Sequence, residues 1–109
     1  MIYAVGIGPG GRETMTYEAM KAIEQSDVIV GYKTYIDLVE DLVKDKKVVS
    51  NGMKQETDRV KKAVEISKTG KTVSVISSGD AGVYGIAGLI LELSEDEEVR
   101  IISGVTAST

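Results

Sequence analysis

Cysteine and histidine are both absent from the 109 residues. Without a thiol there is no disulfide and no cysteine nucleophile, and without an imidazole there is no histidine-based catalytic triad. A zinc site built on nitrogen or sulfur ligands is excluded on the same ground, and no other metal is expected. Tryptophan and phenylalanine are missing too, so the five tyrosines make a thin platform for stacking nucleic-acid bases. A formal net charge of -4 argues further against binding a phosphate backbone. No apolar run approaches the roughly eighteen residues that read as a membrane span. Met1 leads straight into apolar residues 2–7, without the basic start of a signal peptide, and the expected location is the cytoplasm. Chemistry is left to carboxylates, lysine, arginine, tyrosine, hydroxyls and backbone groups, or to a bound cofactor.

What the chain does contain is a series of short Val- and Ile-rich runs, at 2–7, 28–30, 48–49, 72–76 and 99–102. They are near-continuous instead of alternating, as strands buried on both faces of a parallel sheet are. Helical patterns fill the intervals. Met15, Ala19, Ala22 and Ile23 form one stripe, with Thr16 as the expected N-cap. A second helix over 34–43 would bury Ile36, Val39 and Val43. A third over 55–69 would bury Val60, Ala63, Val64 and Ser67, with Asp58 and Lys62 on its wet face and Gly70 as its stop. A fourth is expected over 83–93. Alternating strands and helices in this number predict one α/β domain, a five-stranded parallel sheet with helices on both faces.

Nine of the twelve glycines (Gly8, Gly10, Gly11, Gly31, Gly52, Gly79, Gly82, Gly85 and Gly104) fall at or shortly after the carboxyl end of an expected strand. In open α/β sheets ligands bind outside those ends, and glycine lets backbone N–H groups approach a ligand closely. Charge is also uneven. Residues 44–71 hold nine of the thirteen lysines and arginines, while residues 92–98 hold five acids. Such runs fit solvated helix faces, or a basic surface beside an anionic substrate.

The first glycine loop, Gly6-Ile7-Gly8-Pro9-Gly10-Gly11, satisfies the dinucleotide pattern GxGxxG. Its partner, an acid ending the second strand to hold a ribose, is missing: Val30-Gly31-Tyr32-Lys33 stands there, and Asp27 begins that strand. Pro9 also removes one N–H from the cradle. Nicotinamide binding is therefore disfavoured. The second loop, Ser77-Ser78-Gly79-Asp80-Ala81-Gly82-Val83-Tyr84-Gly85, is neither a nucleophile elbow nor a P-loop. By itself it reads equally as a turn with Asp80 capping the next helix.

Together the motifs are more specific. Val5-Gly6-Ile7-Gly8-Pro9-Gly10, Ser26-Asp27-Val28-Ile29-Val30-Gly31-Tyr32, Ser78-Gly79-Asp80 and Ser103-Gly104-Val105-Thr106-Ala107, in this order, resemble the tetrapyrrole methylases over the whole of 1–109. Within that family the stretches 30–35 and 77–85 look most like precorrin-3B methyltransferases, which methylate carbon 17 and contract the ring on the way to cobalamin. The resemblance implies the N-terminal domain of that fold. It also implies S-adenosylmethionine held largely by backbone groups of Gly8, Pro9, Gly10, Ser78, Gly79, Asp80, Val83, Thr106 and Ala107. Tyr32 and Lys33 become candidates for orienting the carboxylates of a precorrin or cobalt-precorrin substrate. No catalytic base is identified; methyl transfer from a sulfonium needs positioning more than acid–base help.

Ala81 and Ser103 stand where the family usually has proline, and Tyr32 stands where related uroporphyrinogen methylases carry an aspartate. The resemblance also implies a second, C-terminal domain joined just after the Gly-Val-Thr-Ala motif, which residues 1–109 are expected not to include, and a homodimer. The chain alone is accordingly expected to be inactive and to expose an apolar patch near Val105. Methylation at a different ring carbon, or a binding module without catalysis, are the alternative readings.

Overall fold

A computed structural model describes residues 1–7, 15–51, 56–77, 80–94, 96 and 98–102. In chain order the elements are β1 (Ile2–Gly6), α1 (Tyr17–Gln25), β2 (Val28–Tyr32), α2 (Lys33–Leu38), α3 (Glu40–Val43), β3 (Lys47–Asn51), α4 (Glu56–Lys68), β4 (Val73–Ser77), α5 (Asp80–Leu93) and β5 (Val99–Ile102). All five strands are parallel, in the order β3-β2-β4-β1-β5. The expected class and sheet are therefore the observed ones.

The strand alternation distributes side chains to two cores. Ile2 and Ala4 of β1, Val28 and Val30 of β2, and Val73 and Val75 of β4 pack against Val60, Ala63 and Val64 of α4 and Val83, Ile86 and Ile90 of α5. The opposite parity, Val5, Ile7, Ile29 and Ile76, packs against Ala19, Ala22 and Ile23 of α1 and against Ile36, Val39 and Val43. β4 is central and buried throughout, as its unbroken Val-Ser-Val-Ile-Ser run requires. The edge strands β3 and β5 keep a wet side, carrying exposed Lys47 and Arg100.

Local signals behave as their chemistry dictates. Thr16 Oγ1 accepts from the N–H of Ala19 at 3.1 Å, capping α1. Gly70, after α4, has φ +97°, the left-handed conformation that ends a helix. At the other end of α1, Ser26 Oγ donates to the carbonyl of Ala22 at 2.7 Å and shares a hydrogen bond with Ser74 Oγ, pinning the helix to β4. Two boundaries depart from expectation. The helix expected over 34–43 is two, interrupted at Val39 (φ -119°, ψ 25°), whose side chain stays fully buried. A one-residue interruption preserves the apolar stripe, so periodicity cannot report it. α5 starts at Asp80, three residues earlier than expected.

Candidate functional site

The sheet order puts β1 and β4 side by side, in register from Ile2↔Val73 to Gly6↔Ser77. From β1 the chain crosses through α1 to β2 on one side; from β4 it crosses through α5 to β5 on the other. With right-handed crossovers these connections lie on opposite faces, as the two cores record. The carboxyl ends of β1 and β4 thus diverge at the topological switch point, where such sheets bind ligands. Among the described residues the last backbone bond between them runs from the N–H of Ile7 to the carbonyl of Ser77, 2.9 Å long. Both glycine loops leave from these two paired residues.

Of the expected cofactor residues, Gly8, Pro9, Gly10, Ser78, Gly79, Thr106 and Ala107 lie outside the described residues. Asp80 is the first residue of α5, inside the helix and not its cap. Val83 follows in the first turn with its side chain fully buried in the α4–α5 core, which leaves only its backbone for a ligand. Of the nine glycines assigned to strand ends, Gly31 lies within β2, and Gly82 and Gly85 lie in the first turns of α5. The other six are not among the described residues.

Two glycines shape this edge sterically. A Cβ on Gly82 would overlap Ser77 Oγ, so the first turn of α5 sits against the end of β4 at a distance that any larger residue could keep only if that hydroxyl moved. A Cβ on Gly31 would lie 3.3 Å from Ile76 Cβ and 3.4 Å from Ile36 Cγ1; glycine there lets α2 close onto β2 and β4. β2 then runs into α2 without a loop, and Tyr32 is both strand end and helix N-cap. Tyr32 is half-buried and meets Tyr35 edge to face, with ring centroids 5.3 Å apart and planes at 83°. Lys33, the first residue of α2, is exposed beside them. Sequence reasoning singled out Tyr32 and Lys33 but missed Tyr35 as the ring that holds Tyr32; the i, i+3 tyrosine spacing on a helix start was the available signal.

Two sequence readings are settled by placement. Asp27 lies at the amino edge, where its carboxylate accepts from the N–H of Thr72 at 3.0 Å, far from any ribose at the carboxyl edge. Part of the lysine-rich segment also lies at the amino edge. Lys47, Lys62 and Lys71 line a small cavity with Val28 at the amino edge, and Lys46 Nζ donates to the carbonyls of Glu24 and Ser26 at 2.7 and 2.9 Å. These four lysines are therefore not beside the site, whereas Arg59 lies in the first turn of α4, which starts from the carboxyl edge, and Lys54 lies outside the described residues.

The sequence profile of the tetrapyrrole (corrin/porphyrin) methylases matches residues 1–109. A probable cobalt-factor III C(17)-methyltransferase of Salmonella typhimurium is 48% identical over 112 residues, covering 99% of this chain and 46% of that protein. A cobalt-factor III methyltransferase of Priestia megaterium is 43% identical over 97% of this chain and 21% of its own length. Among solved structures, the methyltransferase CobJ superposes with a TM-score of 0.81 at 31% identity, covering 97% of this chain and 46% of that one. The chain thus spans less than half the length of these relatives.

Proposed function

Since the chain belongs to the tetrapyrrole methylases, matched over its whole length, we propose that it forms one half of an S-adenosylmethionine-dependent methyltransferase of cobalamin biosynthesis. The proposed substrate is precorrin-3B or its cobalt counterpart, cobalt-factor III, methylated at carbon 17 with contraction of the ring. One observation carries that choice: the 48% identity, over 99% of this chain, to a protein named as a probable cobalt-factor III C(17)-methyltransferase. A second domain, of the kind the longer relatives have room for, would close the cleft. The assembled enzyme would work in the cytoplasm as a homodimer.

The switch point fits such a cofactor in kind. It is bounded by two strand ends whose side chains are small or buried, Gly6, Ile7 and Ser77, so a ligand there meets mainly backbone groups. No acid ends β2, which disfavours the ribose-carboxylate mode of dinucleotide folds. When bound, S-adenosylmethionine supplies a methyl group on a positively charged sulfur. Gly8, Pro9 and Gly10 would hold it from the β1 side. Ser78, Gly79, Asp80 and the backbone of Val83 would hold it from the β4 side, and Thr106 with Ala107 from beyond β5. Lys33 would draw in a macrocycle carboxylate by charge, and Tyr32, braced by Tyr35, would donate a hydrogen bond to one. The protein's contribution is orientation of donor and acceptor, a role this half can share without histidine or cysteine.

Amide NMR titration with S-adenosylhomocysteine tests the reading. Saturable shifts are expected at Gly8, Gly10, Gly79 and Asp80, and Gly79→Val abolishes them while the remaining spectrum stays dispersed. Shifts elsewhere only, or equal shifts with NADH, would overturn the placement.

A further inference from the structure

Lys46 and Lys47 are neighbours in sequence but differ in what their ammonium groups do. Lys46 Nζ is committed to the carbonyls of Glu24 and Ser26. Among the described residues no such bond holds Nζ of Lys47, Lys62 or Lys71, yet the fold brings these three around one hollow of about 260 Å³ at the amino edge. Each arrives on a different segment. Lys47 opens β3, in register with Val28 of β2, whose side chain packs on the α4 side of the sheet. Lys62, Glu65, Ile66 and Thr69 fall at i, i+3, i+4 and i+7, a single stripe running off the end of α4. Lys71 follows the left-handed turn at Gly70 and leads into β4.

Gathering like charges at one place is unfavourable unless something answers them. Glu65 is the one acid lining the hollow, so three lysines against one carboxylate leave two positive charges in excess, on a chain whose formal net charge is -4. Helix capping does not account for them. Thr69 Oγ1 donates to the carbonyl of Ile66 at 2.6 Å and the N–H of Gly70 to that of Ser67 at 3.0 Å, so the last turn of α4 has other donors. The floor is apolar, with Val28 buried and Ile66 half-buried, and the methylene stems of the lysines extend it. A concave, partly apolar site with a few convergent charges is the form of a small-molecule pocket, and this one lies just below the roughly 300 Å³ at which such sites ordinarily begin. Its occupant is therefore small. A nucleic-acid strand is a poor match, since it needs cations spaced along a groove, whereas these surround a single hollow.

We infer that this hollow binds a small polyanion, one that carries at least two negative charges as carboxylates or phosphoryl groups on a short stem. The site lies at the opposite edge of the sheet from the switch point and does not rest on the reading of that site. A bound anion would tie together β3, α4 and the entry to β4, and so stabilise the folded chain by linkage. Pyrophosphate and citrate serve as probes, in amide NMR titrations of the chain at constant ionic strength. Saturable shifts are expected at Lys47, Ile66, Thr69 and Lys71, with a melting temperature that rises with anion concentration. Tighter saturation by pyrophosphate identifies the phosphoryl source, and tighter saturation by citrate the carboxylate one. Lys62→Ala with Lys71→Ala is expected to raise Kd by at least about tenfold, and Glu65→Gln to lower it. Lys61→Ala removes an exposed charge from the same helix outside the hollow and is expected to change Kd by less than about twofold. Shifts that never saturate with either probe would overturn the site. So would a Kd that Lys61→Ala raises as much as the double variant does, because the anion would then be answering surface charge alone. The S-adenosylhomocysteine titration, read at Gly8 and Gly79, stands or falls separately.

Discussion

At the scale of single residues, the candidate site depends on atoms that are missing from side chains. Gly82 is the clearest case, since any Cβ there overlaps Ser77 Oγ at the end of β4. Gly82→Ala is expected to destabilise the fold by about 2 kcal/mol, as overpacking of a close contact does, read as a shifted midpoint in urea. Adding Ser77→Ala should recover part of that loss, because it removes the overlapping oxygen; strict additivity of the two changes would contradict the contact. The sequence showed that this loop is rich in glycine. It could not show which glycine is required, since that depends on how closely α5 approaches β4. The side chain of Val83 likewise belongs to the core, a role that a loop motif does not disclose.

Elements carry the next layer. α1 has only nine residues, too few to be stable in isolation, and its position is held at both ends. Thr16→Ala removes the cap on the Ala19 N–H and is expected to cost about 1 kcal/mol, while Thr16→Ser should be near neutral; thermal melts of the two variants decide it. The cap and the Gly70 stop were legible because each is a local device, satisfied within one turn. The hold of Ser26 on Ser74 was not, because the two serines are 48 residues apart in sequence. Neither was the break at Val39, where the buried stripe of Ile36, Val39 and Val43 continues across the interruption.

For the whole molecule the decisive fact is the order of the strands. β4, the fourth strand made, lies at the centre between β1 and β2 and is buried along its length. Native-state hydrogen exchange should therefore be slowest at the amides of Val75 and Ile76 and of their neighbours in β1 and β2. It should be fastest in β3 and β5, whose outer sides are unpaired and whose side chains are largely exposed. Protection in β5 equal to that in β4 in the monomeric chain would contradict this order. The same topology places Lys47, Lys62 and Lys71 around a cavity at the amino edge, away from the switch point.

Strand and helix identity, the parallel class, the two-faced burial and the cap at Thr16 were all determined by the sequence itself. Each follows from periodicity or from a residue's own conformational range, which act over a few neighbours. The resemblance to the family rests on the same local runs. Tertiary structure alone decided which two strand ends lie together, which glycines stand at close contacts, which ring braces Tyr32 and where Lys46, Lys47, Lys62 and Lys71 lie. These are contacts between segments far apart in the chain, and they exist only once the crossovers have chosen their sides of the sheet.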